Sequence, residues 1–259
     1  MSKYRDVAIL AAQEAGKIHK RYFNKGLKAK AKGVSYNLVT TADIQSEKRI
    51  VALIKRYFPE HNFLAEENRY KKTSSPYTWV IDPLDGTSNF SCGLPIFCVS
   101  IALVKGSTPI VGVVYDVMRN ELFCAENGLG AYLNGKKIKV TSAKILSEAL
   151  LITGFYYNRG KDMRTNLEKI KKFLLRRIIG IRRLGAAALD LCYVASGRAA
   201  GFWEFTLSPW DFAAGALIVK EAGGRVTDRY GKDVPLKKSF IAASNSKIHN
   251  AMLRVLREE

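Results

Sequence analysis

The chain has 259 residues, 47% of them hydrophobic, and 42 Lys+Arg against 23 Asp+Glu give a formal charge of +19. That length can bury one substantial core, as a single large domain or two tightly joined halves. No apolar run approaches the roughly 20 residues of a membrane span, and the opening MSKYRDVAIL has no signal-peptide core ahead of its charges, so a soluble cytoplasmic protein is expected.

Taken in order, residues 3–24 have the spacing of an amphipathic helix, with Val7, Leu10, Ala11, Ala15, Ile18 and Tyr22 on one side. A basic, glycine-containing loop follows. LVTTAD then leads into a second helix from about Asp43 to Phe58, which Pro59 stops. NFLAEE and YTWVID are short strands that end in acids. IFCVSIALV, PIVGVVYDV and ELFCAE are strands by their β-branched and aromatic content. Asn134-Gly135 marks a hairpin between GAYL and KKIKV. From about residue 142 the pattern alternates: strand ALLITG, a basic helix, strand IIGIRRL, a helix from Ala186, strand AGFWEF, a helix from Pro209 to Ala222, strands GRVTD and FIAAS, and a last helix from Ser246. The fold expected is α+β to α/β: helices with a mostly antiparallel sheet over 1–141, and mixed α/β over 142–259, packed as one unit.

The positive charge attracts polyanions, so a nucleic-acid binder is one class of function. Its basic residues are scattered, however. The densest stretch, Lys161 to Arg183, has the apolar spacing of a helix face and then a strand, as a solvated basic face would. No zinc-finger or RNA-recognition signature is present, and a phosphorylated small substrate suits the same charge. The cysteines at 92, 98, 124 and 192 form no CxxC pair, and buried free thiols are expected. The histidines, at 19, 61 and 249, lie in no catalytic motif, and Gly128-Leu129-Gly130 is half of a dinucleotide fingerprint in a turn setting.

Carboxylates remain. Asp43, Glu66, Asp82, Asp85 and Asp211 lie at strand ends or helix starts beside apolar sequence, where layered α/β folds place their sites. Asp43 and Asp211 could be plain N-caps, Glu66 and Glu67 a solvated turn, and DPLD a proline turn. The stretch WVIDPLDGTSNF resists the bland reading. It holds two acids at one rigid strand end with no cation between them. Hard cations such as Mg²⁺ take oxygen ligands, and the amides of Gly86 and Thr87 would open a short helix toward an anion. Together these describe phosphoryl chemistry.

WVIDPLDGTSNF resembles the first signature of the inositol monophosphatase family, and WDFAAGALIVKEAGG (210–224) resembles its second. LVTTAD, AEE and GAAALDLCYVASGRAAGFWEF are similar to its remaining segments, in family order, over nearly the whole chain. The resemblance implies a layered αβαβα sandwich of the sugar-phosphatase type and a Mg²⁺-dependent phosphatase that uses two or three ions. It assigns one ion to Glu66, Asp82 and the Leu84 carbonyl, and another to Asp82, Asp85 and Asp211. It gives Asp43 and Thr87 the water-activating role, near a third ion that Glu66 also approaches. It gives Gly86 and Thr87 amides the phosphate, and Asp85, Gly185, Ala187, Glu204 and Asp211 the substrate rim. Asn37 stands where an aspartate is more usual, with little effect expected on the chemistry. The substrate implied is an inositol phosphate or related sugar phosphate. Fructose 1,6-bisphosphate is the runner-up, and 3′-phosphoadenosine phosphate and NADP come further behind. A cytoplasmic, lithium-sensitive homodimer without a membrane is also implied, with nucleic acid not the main ligand.

Overall fold

A computed structural model of the chain describes residues 2–23, 25, 30–31, 38–155 and 160–258; Asn37 lies outside them. α1 (Lys3–Tyr22) starts where the Ser2 hydroxyl accepts the Arg5 N–H at 3.4 Å. It buries Val7, Ala8, Ala11, Ala12, Ala15, Gly16 and His19. Leu10, expected on the inner side, is 40% exposed. The small residues face the sheet instead, and a Cβ on Gly16 would meet the Tyr115 ring at 2.6 Å. Close approach, not side-chain size, chose the face.

The strands β1 (Lys30–Ala31) and β2 (Leu38–Val39) pair antiparallel. α2 (Thr41–Tyr57) follows, two residues earlier than the sequence pattern places its start. The elements β3 (Asn62–Ala65), β4 (Tyr77–Asp85), the short α3 (Thr87–Ser91), β5 (Cys98–Lys105), β6 (Thr108–Asp116), β7 (Glu121–Glu126), β8 (Gly130–Leu133) and β9 (Lys136–Lys137) come next. The strands from β3 to β9 form a seven-stranded sheet in chain order. It is antiparallel except between β3 and β4, which are parallel. The predicted Asn134-Gly135 hairpin is present, with φ of 48° and 78°, the positive values a tight two-residue turn demands.

The rest of the chain supplies β10 (Leu150–Thr153), α4 (Lys161–Leu175), β11 (Gly180–Arg182), α5 (Ala187–Ala195), β12 (Gly201–Leu207), α6 (Pro209–Glu221), β13 (Arg225–Thr227), β14 (Ser239–Ser244) and α7 (His249–Arg257). These strands form a five-stranded sheet in the order β11-β10-β12-β14-β13. β10 is parallel to both neighbours, and the remaining pairs are antiparallel.

Three apolar clusters define the layers. α1 and α2 cover one face of the first sheet, joining Val7, Ile50 and Ile54 to Trp79, Ile81 and Phe97. α5 and α6 lie between the sheets, joining Leu189, Leu191 and Leu217 to Val80, Val114, Phe202 and Ile241. α4 and α7 close the far face around Phe173, Trp203 and Met252. The result is the αβαβα sandwich. α6 sits so close to β6 that a Cβ on Gly112 would meet the Ala214 carbonyl oxygen at 2.7 Å. Among the cysteines, 98, 124 and 192 are buried free thiols as expected, whereas Cys92 is exposed, because it caps the short α3 at the surface.

Two histidines are buried uncharged. His249 sits between the Ser244 and Thr227 hydroxyls, at 2.8 Å from Nδ1 and 2.9 Å from Nε2. Burial, with Arg225 and Arg257 nearby, holds its pKa down to about 4. His19 packs edge-on against Phe90 and Phe97. Burial holds it at about 3, with only the Pro83 carbonyl pulling upward; neither ring nitrogen has a well-formed hydrogen bond. Because the folded pKa lies below the unfolded one, the stabilising contribution is full above about 6.5 and is lost as pH falls through about 4 for His249. In urea titrations, wild type should therefore lose stability relative to His249→Gln as pH is lowered from 7 to 4, by on the order of 3 kcal/mol. A pH-independent difference would contradict the burial of a neutral imidazole.

Candidate active site

The strand β4 runs through Asp82, Pro83 and Leu84 to Asp85, so DPLD is not a separate turn. Its register against β5 shifts between Asp82, opposite Ser100, and Asp85, opposite Cys98. Three steps on β4 match two on β5, which is a one-residue bulge. In a regular strand, residues three apart point to opposite faces. The bulge turns Asp82 and Asp85 to the same side. Pro83, which has no N–H to offer a ladder, suits that position.

Each carboxylate is held by backbone donors. Asp82 Oδ1 accepts the Leu84 N–H at 3.0 Å. Asp85 Oδ2 accepts the Ala188 N–H at 2.7 Å and faces the Cys98 thiol at 3.7 Å. The Ala187 amide adds to this hold, so Asp85 is the anion bound at the N-terminus of α5. Asp43 and Asp211 are not N-caps. Each is the third helical residue of a capping box, with Thr40 and Ser208 as the respective caps. Asp43 Oδ2 takes the Thr40 N–H at 2.8 Å, which leaves Oδ1 to accept from the Thr87 hydroxyl at 2.9 Å. Asp211 Oδ2 takes the Ser208 N–H at 2.7 Å. The Thr87 hydroxyl also lies 3.0 Å from the Leu84 carbonyl; its one proton serves one acceptor at a time.

Glu66 extends β3, its N–H donating to the Ile81 carbonyl at 3.2 Å. The segment after it is tied down by buried Glu47, which accepts from the Glu67 N–H, the Asn68 amide and the Tyr70 hydroxyl at 2.8, 2.8 and 2.9 Å. Gly86, with φ of 94°, turns the chain into α3 where a Cβ would strike the Ile96 carbonyl at 2.8 Å. Glu204 on β12 fits only because residue 154 is glycine: a Cβ there would lie 2.0 Å from its Oε2.

A single cavity of about 370 Å³ collects these groups. Glu66, Asp82, Leu84, Asp85, Gly86, Thr87 and Asp211 line it, together with Gly185, Ala187 and Glu204. Asp43 is fully buried and reaches this wall only through Thr87. Sequence reasoning missed Thr40, the Ala188 amide, the rim cations Arg69, Arg183 and Lys238, and Asp190. A lone acid inside the apolar stretch AALDLCYVA was the available signal for Asp190.

Burial is the largest cause of each raised pKa among Asp43, Asp82, Asp85, Glu204 and Asp211. Asp82 is pushed well above the usual carboxylate range by burial and then by the charges of Glu66, Asp85 and Asp211. Asp211 is raised in the same way, with Glu66 and Asp85 adding to burial. Asp85 is pushed to about 7, the α5 amides opposing burial. Asp43 reaches about 6 against the restraint of its Thr40 and Thr87 hydrogen bonds. Glu204 reaches about 8, moderated by Arg183. Among the described residues, no three His, Cys, Asp or Glu side chains already enclose an ion-sized position. The donor set is nonetheless all oxygen, buried at Asp82 and Asp85 and half-buried at Glu66 and Asp211, and mutually repelling, which fits a hard divalent cation.

The profile of the inositol monophosphatase family matches residues 1–259. The chain is 43% identical to the Nus factor SuhB of Escherichia coli strain K12, over 98% of this chain and 96% of that one. It is 42% identical to the fructose-1,6-bisphosphatase/inositol-1-monophosphatase of Aquifex aeolicus, over 100% and 97%. It is 41% identical to the inositol-1-monophosphatase of a Synechocystis strain, over 99% and 89%. Among solved structures, the extragenic suppressor protein suhB of Bartonella henselae superposes with a TM-score of 0.94 at 38% identity, covering 99% of both chains. An IMPase/NADP phosphatase complexed with Mg²⁺ and phosphate superposes with a TM-score of 0.82 at 27% identity, over 95% of this chain and 92% of that one.

Carboxyls whose folded pKa is raised stabilise the fold below their unfolded pKa and lose that contribution as pH rises through the folded value. At pH 8, in chelator, Asp82→Asn should therefore melt higher than wild type, by about 2–4 °C for each kcal/mol of repulsion relieved. The gap should close toward pH 4. A variant that melts lower at pH 8 would contradict the repulsion read from the cavity.

Proposed function

This chain belongs to the inositol monophosphatase family and is a phosphoric monoester hydrolase, and we propose that it removes phosphate from inositol monophosphate or a related sugar phosphate. The observation that carries the reading is the bulge that brings Asp82 and Asp85 onto one cavity wall beside Glu66 and Asp211. Glu66, Asp82 and the Leu84 carbonyl would hold one Mg²⁺, and Asp82, Asp85 and Asp211 a second, with Glu66 near a third. Mg²⁺, when bound, supplies positive charge that acidifies water and offsets charge on the phosphate.

The chain's own groups do the rest. Thr87 presents its hydroxyl toward the attacking water, and Asp43 behind it accepts the proton. Its pKa near 6 suits a base that must also release that proton. The amides of Gly86 and Thr87 face the phosphate. Asp85, anchored on α5, keeps its second oxygen for the site, and Gly185, Ala187, Glu204 and Asp211 line the way to the polyol. Fructose 1,6-bisphosphate is the second reading, favoured by Arg183 and Lys238 at the rim, where a second phosphate would meet positive charge. 3′-Phosphoadenosine phosphate and NADP come behind it.

The core continuous between both sheets supports one working unit. No described helix is long and apolar enough to cross a membrane. A cytoplasmic homodimer fits, and the exposed Leu167, Leu174, Leu175 and Ile179 near the β11 edge offer apolar surface for a second copy. Light scattering that gives the mass of one chain would rule the dimer out. Nucleic acid is not placed as the main ligand, despite the charge.

Purified protein should hydrolyse inositol 1-phosphate with Mg²⁺, stop in chelator and be inhibited by Li⁺, and a screen with fructose bisphosphate, 3′-phosphoadenosine phosphate and NADP ranks the substrates. Asp82→Asn should lower kcat/KM by at least about 10²-fold; wild-type turnover in that variant would sink the assignment. Glu204→Gln should lower kcat/KM for the polyol phosphate more than for p-nitrophenyl phosphate. Equal losses on both would contradict a hydroxyl-binding Glu204.

A further inference from the structure

Asp190 stands in the fourth helical position of α5, in a turn otherwise built from alanine and leucine. It is 1% exposed, and its Oδ1 is buried without any hydrogen-bond partner. An unpaired buried carboxyl oxygen is costly, and is uncommon enough to need a reason. The same residue lines the cavity. Helical Cα–Cβ bonds tilt toward the helix N-terminus, the end of α5 whose Ala187 also lines the cavity. Burial, and then the charges of Asp85 and Glu204, hold the Asp190 carboxyl well above the usual carboxylate range, and Arg183 relieves it. Among the described residues, Arg183 forms no salt bridge with it and instead lies over Gly185, where a Cβ would meet its Nη1 at 2.3 Å.

No protein donor answers this acceptor, so the donor must come from what fills the pocket. We propose that Asp190 is a substrate-binding residue that, together with Glu204, accepts hydrogen bonds from two hydroxyls of a polyol phosphate. This rests on the phosphatase reading above and adds a second hydroxyl reader in the same cavity. A carboxyl oxygen accepts only from a donor, which selects a polyol over an apolar leaving group. The terminal torsion of an aspartate is soft and twofold, so either oxygen can turn to the ligand. A pocket with two such acceptors discriminates against a substrate that lacks either hydroxyl, because the acceptor is then buried unpaired.

The test compares substrates in one variant. In Asp190→Asn, the ratio of kcat/KM for inositol 1-phosphate to that for p-nitrophenyl phosphate should fall about tenfold, the worth of one hydrogen bond, and the loss should appear in KM. An unchanged ratio, whether both activities fall together or neither moves, overturns the proposal. If that variant does not fold, Asp190→Ser is read by the same ratio. Wild-type protein gives an independent reading with single-deoxy inositol 1-phosphates. Removal of either of two hydroxyls should cost about tenfold in kcat/KM, and one of these two sensitivities should vanish in Asp190→Asn. Only one sensitive position overturns the proposal. A wild-type protein that hydrolyses no polyol phosphate overturns the function as well, whereas polyol phosphatase activity with an unmoved ratio overturns Asp190 alone.

Discussion

Like charges crowded away from water are the constraint on which the rest of this structure depends. Asp82, Asp85, Asp211 and Glu66 share one cavity wall, and each raised pKa among them cites the charge of at least one of the others after burial itself. Left alone, such a group would spread, protonate or admit water. The fold counters part of this with backbone donors rather than side-chain cations. The register shift in β4 points two acids the same way. Two capping boxes each fix one oxygen of an aspartate and leave the other to the site. The start of α5 offers Asp85 two amides and a favourable dipole. Backbone amides neutralise without competing for the oxygen ligands a hard cation needs, as a lysine in the same place would.

The outer layers serve that arrangement. Gly112 lets α6 settle against β6, and α6 brings Asp211 to the cavity that Asp82 lines. Glu47, itself buried in α2, gathers three donors from the segment behind Glu66 and holds that acid's backbone still. On the second sheet, Asn166 accepts from the Trp203 indole at 2.6 Å and donates to the Gly154 carbonyl at 2.8 Å, pinning the strand ends that frame Glu204. Positioning thus descends from helix packing to strand register to side chain, and the cavity inherits its shape from the core.

Much of this was legible in the sequence. β-Branched and aromatic runs gave most of the strands, Pro59 and Asn134-Gly135 gave boundaries that hold, and of the acids beside apolar sequence the cavity collects Glu66, Asp82, Asp85 and Asp211. The failures have physical causes. Leu10 was placed inside because hydrophobic period weighs bulk, whereas helix and sheet meet here through alanine and glycine. DPLD reads as a turn because local propensity cannot see a bulge that pairing with β5 imposes. Asp43 and Asp211 read as caps when they are the reciprocal partners of caps, since Thr40 and Ser208 carry as strong a signal. The amide of Ala188 left no trace at all, because a backbone donor has no letter of its own.

The hold of α5 on Asp85 also bears on how the protein is made. Synthesis runs from the N-terminus, so β4 leaves the ribosome with its acids well before the helices that accommodate them exist. The first sheet can pair locally at that stage, but Ala187, Ala188 and the Ser208–Asp211 cap are still to come. Until they arrive, the nascent chain carries a knot of carboxylates best left in water, and the layer that α5 and α6 will fill stays open. Docking of the two sheets and completion of the site are then one event, so a chain stalled or cut between them would be half-folded and inert together.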